Sequence, residues 1–246
     1  MKCLNKLYCP YPWRSVLVGC LIALSGLPIG YAASIASPEP VTGWQEKPVV
    51  RAERFMAVTA HPLATRTAVD VLANGGTAVD AAVAAQMVLN LVEPQSSGIG
   101  GGAFMLYWDA VARRLYALDG RETAPVAADA DYFRDIKGIA LKWRKARVGG
   151  RAVGVPGTLH LLHTAHDLFG VKSWANLLEP TITLATGGFP VSPRLAQSIA
   201  GAADRGLRQF SAARQYFFDA HGKPLKAGFI LINPALANAL RKIAQE

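Results

Sequence analysis

After Cys20 the chain has no cysteine; the three it carries are Cys3, Cys9 and Cys20. Beyond that point disulfides, thiol nucleophiles and sulfur-ligated metals are excluded. A nucleophile would have to be serine, threonine or a carboxylate. Acidic residues are missing from the start of the chain, where Lys2, Lys6 and Arg14 all precede Glu39, the first carboxylate. A membrane-length apolar run is missing there too: the stretch Val16 to Ile29 is broken by Gly26 and Pro28 and falls short of the ~20 residues needed to cross a bilayer.

What the opening does contain is a basic start, that apolar stretch, and small residues at Ala32, Ala33 and Ala36. These are the parts of an export signal. The expectation is a removable signal peptide over residues 1–36 and a mature protein that is periplasmic or secreted. Leu17-Val18-Gly19-Cys20 resembles a lipoprotein cleavage box, but the apolar run continues past it, so the match is accidental. Removing residues 1–36 takes three cations away and lowers the formal charge from +9 to +6.

A chain of 246 residues that is 51% hydrophobic can bury a substantial core. Residues 37–54 hold three prolines and no periodicity, which reads as a tether. The folded part is expected over residues 55–246. Phe55 to Thr59 reads as a strand, and a helix runs from Pro62 to a left-handed stop at Asn74-Gly75-Gly76. Thr77 to Val92 is apolar on nearly every face, as suits a helix enclosed between layers. Residues 103–108 and 115–118 read as a hairpin around Asp109 to Arg114. Helices follow from Pro156-Gly157-Thr158 to Gly170, from Ser173 to Thr186 with a reset at Pro180, after Ser192-Pro193, and over 235–245 after Asn233-Pro234.

Gly98-Ile99-Gly100-Gly101-Gly102-Ala103 satisfies the pattern G-x-G-x-x-[GA] of a dinucleotide site. The order of elements is reversed, however, with a helix before the glycines and a strand after them. No helix N-terminus then faces a phosphate, so the nucleotide reading is rejected. Six basic residues, Lys137, Lys142, Arg144, Lys145, Arg147 and Arg151, crowd one stretch, but only Trp143 is interleaved. That pattern fits a solvated, mobile loop and not a nucleic-acid site. His160, His163 and His166 share one helix, but steps of three carry the outer two apart, and no metal site is read from them. Asp80, in the first turn of the most apolar helix, is read as a helix-terminus carboxylate. Arg121 follows a glycine at a strand end, beside Glu122, in a turn fixed by Pro125. Spacing alone leaves it open between a guanidinium presented into a cleft and a surface ion pair.

Taken in order, AVTAHPLAT (57–65), NGGTAVDAAVAA (74–85), SSGIGGGAFMLYWD (96–109), DGRETAP (119–125), GGRAVGVPGT (149–158) and GGFPVSPRLA (187–196) resemble the gamma-glutamyltransferase (glutathione hydrolase) family. The resemblance implies an α+β fold of the N-terminal-nucleophile hydrolase type, an αββα sandwich of which residues 55–246 are the leading part of the large subunit. It also implies a precursor that cleaves itself before a threonine, whose α-amine and hydroxyl then act on the γ-glutamyl amide of glutathione and related compounds. Water or an amino acid or peptide accepts the group, no metal or organic cofactor is used, and the small subunit from the same precursor is the partner. Arg121 matches the family arginine that holds the substrate α-carboxylate. The glycine loop becomes a close-packing device beside the cleft. No nucleophile segment of the family type is found: Thr65-Arg66-Thr67 and Thr181-Ile182-Thr183 fall inside expected helices. Alone, this chain is therefore expected to be inactive. A cephalosporin or glutaryl acylase of the same family and a noncatalytic truncated product are the alternatives.

Overall fold

The computed structural model describes residues 48–245. The expected signal peptide and most of the expected tether lie outside them; residues 48–54 are exposed and irregular.

Helix α1 (Pro62–Ala73) starts with proline in its first turn, where the missing N–H costs nothing. It ends at Asn74, followed by Gly75 at φ +77°, a conformation in which glycine carries no Cβ penalty. Helix α2 (Ala78–Val92) opens with a reciprocal cap: Asp80 N–H donates to Thr77 Oγ1 (3.1 Å) and Thr77 N–H to Asp80 Oδ2 (2.8 Å). Asp80 is fully buried, and its carboxylate also accepts from the backbone N–H groups of Val171 (3.1 and 3.2 Å) and Lys172 (3.4 Å). The first-turn role expected of it is therefore present, together with a tie across 91 residues of chain that the sequence did not suggest.

Strands β1 (Ala103–Asp109) and β2 (Arg114–Gly120) pair antiparallel, with Ala103 opposite Gly120 and Asp109 opposite Arg114. Asp109 Oδ1 accepts from Val111 and Ala112 N–H, which closes the turn. One face of the hairpin carries Tyr107 and Tyr116 onto Phe169 of helix α4 (Thr158–Phe169), with ring centroids 4.4 and 4.9 Å apart. The other face is bare: Phe104 is 67%, Leu106 73% and Trp108 57% exposed.

Helix α3 (Trp143–Ala146) is a single turn inside the basic stretch. That stretch is exposed as expected but is folded on itself, since Arg134 Nη1 donates to Gly138 O (2.7 Å) and Arg151 Nη1 to Arg134 O (3.3 Å). Helix α5 (Trp174–Gly187) runs unbroken through Pro180, contrary to the expected reset. Leu177 and Leu178 before the proline and Thr181, Ile182 and Ala185 after it lie in one buried stripe, so packing against α2 holds the two halves in line. Helices α6 (Pro193–Ala203), α7 (Ser211–Phe217) and α8 (Pro234–Ile243) complete the chain, with Ser192 and Asn233 as side-chain caps of α6 and α8. A short pairing of Phe189–Pro190 with Ile230–Leu231, unanticipated from the sequence, ties the start of α6 to the start of α8.

The core is helical. Helix α2 is enclosed by α1, α4 and α5, so the layers around it are helices. Phe55 to Thr59 is the clearest departure. The segment is extended and its burial alternates, with Phe55, Ala57 and Thr59 half-buried and Met56 and Val58 exposed, but it pairs with no strand among the described residues. The alternation expresses the side-chain pattern, while a strand also needs a partner for its backbone groups.

Candidate functional site

The glycines turn the chain from α2 into β1. Gly102 lies so close to the end of β2 that a Cβ there would stand 2.7 Å from Glu122 N, 2.8 Å from Gly120 O and 2.5 Å from Glu122 Oε2. Gly101 O accepts from Gly157 N–H (3.0 Å) and Thr158 N–H (3.1 Å), so donors at the start of α4 are spent on backbone. The loop is thus a packing device between the end of a buried helix and a sheet, and it offers no phosphate cradle.

These walls enclose a cleft of about 530 Å³ lined by Gln86, Glu93, Ser96, Ser97, the glycine loop, Arg121, Glu122 and Thr158. Arg121 stands on its rim, with its N–H bonded to Asp119 Oδ1 (2.9 Å) and its guanidinium 3.3 Å from Glu122 Oε2. The arginine side chain is 65% exposed and the glutamate 29%. The residue thus lines the cleft and also makes an ion pair. The arginine end of the pair is solvated while Glu122 Oε2 is buried, and the contact runs through Nη1 of the guanidinium.

On the opposite wall, Gln86 Nε2 donates to Asn90 Oδ1 (2.9 Å) and Ser97 Oγ (2.6 Å), and Ser97 Oγ donates to Asn90 Oδ1 (2.6 Å). Glu93, only 2% exposed, accepts from Arg194 Nη1 and from Gln95 Nε2 (2.6 Å). Sequence reasoning missed Glu93 and Arg194. The available signal was Arg194 itself, a cation in the first turn of a helix, where the macrodipole disfavours it unless a carboxylate is at hand.

His61 lies beneath the cleft residue Ala60. Its Nδ1 caps α1 by accepting from Leu63 N–H (3.2 Å), which requires the neutral ring. Burial holds its pKa below the ordinary 6.5, with the negative charge of Glu93 opposing. The stability this lends is complete above pH 6.5 and is lost as the pH falls below that value toward the depressed folded one. Thermal melts from pH 7.5 to 5.5 are expected to fall more steeply for the wild type than for His61→Asn, which keeps a cap acceptor without the titration. Parallel curves would remove His61 from the pH response.

The other sequence candidates lie elsewhere. His163 Nδ1 faces Asp167 Oδ2 at 3.1 Å, His166 Nε2 bonds Lys172 O (2.7 Å), and both rings pack on Trp174. Among the described residues no three such side chains gather as a metal cluster. Thr65–Thr67 and Thr181–Thr183 sit inside α1 and α5, away from the cleft lining.

A family model for gamma-glutamyltranspeptidase matches residues 64–246. The glutathione hydrolase proenzyme of Bacillus subtilis strain 168 is 44% identical over 188 residues, covering 76% of this chain and 32% of that protein. Among solved structures, gamma-glutamyltranspeptidase of Helicobacter pylori superposes with a TM-score of 0.76 at 33% identity, covering 80% of this chain and 56% of that one. A cephalosporin acylase from Bacillus halodurans gives a TM-score of 0.71 at 30% identity, covering 86% and 39%. The mixed helix-and-sheet fold is thus shared with both kinds of structure. This chain spans about a third of the length of the curated relative it matches.

Proposed function

The chain belongs to the gamma-glutamyltranspeptidase family, and from that premise we propose that it forms the leading portion of an exported proenzyme that transfers the γ-glutamyl group of glutathione and related amides to water or an amino acid. The observation that carries this reading is Arg121, held on the rim of a polar cleft with its side chain 65% exposed and paired with Glu122 through Nη1. A planar guanidinium can take an α-carboxylate through two parallel hydrogen bonds and so fix the glutamyl chain with its γ-carbonyl at a set distance.

The nucleophile in this reading is the threonine exposed by self-cleavage in the later portion of the precursor. Its hydroxyl adds to the γ-carbonyl while its own α-amine takes the hydroxyl proton and passes it to the leaving amine. The C–N bond breaks, an ester forms on threonine, and water or an amine acceptor then releases it. The bare face of Phe104, Leu106 and Trp108, together with the unpaired segment Phe55–Thr59, supports a sandwich whose second sheet and missing strand come from that later portion.

The test uses the complete precursor. Intact masses are expected to show a second, smaller polypeptide beginning with threonine, and activity is expected on a γ-glutamyl anilide and not on the corresponding glutaryl anilide. The reverse preference would assign the acylase reaction instead. Arg121→Lys is expected to raise KM for the γ-glutamyl donor by roughly tenfold or more, because lysine cannot supply two parallel bonds. An unchanged KM would take Arg121 out of the site.

A further inference from the structure

Arg194 does not line the cleft, yet it holds the wall that does. It projects from the first turn of α6 and donates through Nη1 to the buried Glu93 carboxylate and through Nη2 to Ser96 Oγ (3.2 Å). Glu93 is the hub of the loop's first turn: its carbonyl accepts from Ser96 N–H (2.9 Å) and Ser97 N–H (3.0 Å), and its carboxylate from Gln95. Five residues further on, the loop reaches Gly102, so close to Glu122 that a Cβ there would stand 2.7 Å from its N, and Glu122 faces the Arg121 guanidinium. The path from Arg194 to Arg121 runs through the ion pair with Glu93, the turn over 93–97, a second turn closed by Gly101 N–H on Gly98 O (3.2 Å), and the close approach of Gly102 to Glu122, which pairs with Arg121.

We infer that Arg194 is a positioning residue, which through Glu93 and Ser96 sets the glycine wall so that Arg121 is placed for a ligand α-carboxylate. The inference rests on the γ-glutamyl reading for the identity of that ligand. A buried carboxylate stripped of its cation is costly where it stands; it rotates toward water, drawing with it Gln95, which it holds, and the turn that its own backbone carbonyl closes. A displacement of about an ångström, remote from the reacting atoms, is enough to spoil the binding geometry.

The experiment compares two donors on the mature, complete protein: a γ-glutamyl anilide and the analogue without the α-carboxylate, a 4-aminobutyryl anilide. The wild type is expected to prefer the first strongly. Arg194→Met is expected to raise KM for the γ-glutamyl donor about tenfold with kcat little changed, and to shrink the preference between the donors by the same factor. Arg194→Lys, which keeps a cation for Glu93, is expected to recover part of that preference. The double variant Glu93→Gln with Arg194→Met removes the orphaned charge and guards against simple misfolding: its melting temperature should recover while its donor preference stays reduced. A purely structural pair would lower the melting temperature of Arg194→Met and leave the preference intact, and that result overturns the inference. So does a double variant with wild-type preference. A wild type that does not discriminate between the donors overturns the γ-glutamyl reading itself, a separate outcome.

Discussion

Replacing Asp80 by alanine is expected to destabilise the protein by about 3–5 kcal/mol, because several backbone donors lose their acceptor at once, each at about 1–3 kcal/mol. The carboxylate is completely enclosed and takes hydrogen bonds from Thr77, Val171 and Lys172. Alanine leaves these backbone donors without their acceptor. The damage is not confined to the cap of α2, because the same oxygens hold the turn between α4 and α5, and Gly170 packs against Asp80 so tightly that a Cβ there would lie 2.8 Å from Oδ1. Asp80→Asn keeps one acceptor but turns an NH₂ toward N–H donors, so an intermediate loss is expected. Urea unfolding of the purified protein measures both, and a shift below about 1 kcal/mol for the alanine variant would show the tie to be dispensable.

Gly102→Ala is expected to cost both stability and function. The obstructing atoms are mainly backbone, Glu122 N and Gly120 O, which cannot swing aside as the end of a side chain can. The added methyl must push β1 from the end of β2 or shift the turn that carries Arg121, at a cost of about 1–3 kcal/mol for overpacking. The same shift moves Arg121 relative to the opposite wall, and a loss in kcat/KM of on the order of a hundredfold follows from misplacement by an ångström. Gly100→Ala is the control, since a Cβ there meets nothing within 4 Å. Steady-state kinetics on the two variants decide the matter: equal losses would mean that loop flexibility, and not close packing, explains the glycines.

Much of this architecture was legible from local signals. Proline after His61, Ser192 and Asn233 marked three helix starts, Asn74-Gly75 a stop, and alternating aromatics with a turn between them a hairpin. Arg121 was legible as a candidate because glycine, strand end and proline turn surround it in a few residues. Glu93 with Arg194 was not, because the two are 101 residues apart and neither has a local partner that betrays the other. The straight course of α5 through Pro180 was illegible for the same reason: the proline penalty is local, and the packing that overrides it is not.

The sequence by itself determined the starts of helices α1, α2, α4, α5, α6 and α8, which faces are apolar, that cysteine chemistry is absent after Cys20, and that six separated motifs occur in the order of one family. These follow from short-range sterics, capping and periodicity, which act within a few residues. Only the tertiary structure decided that Asp80 ties two helix junctions together, that Phe55–Thr59 has no strand partner among the described residues, and that the glycine loop forms one wall of a cleft with Arg121 on its rim. Those outcomes depend on which distant backbone donors, carboxylates and edges meet, and that is set by packing of the whole core.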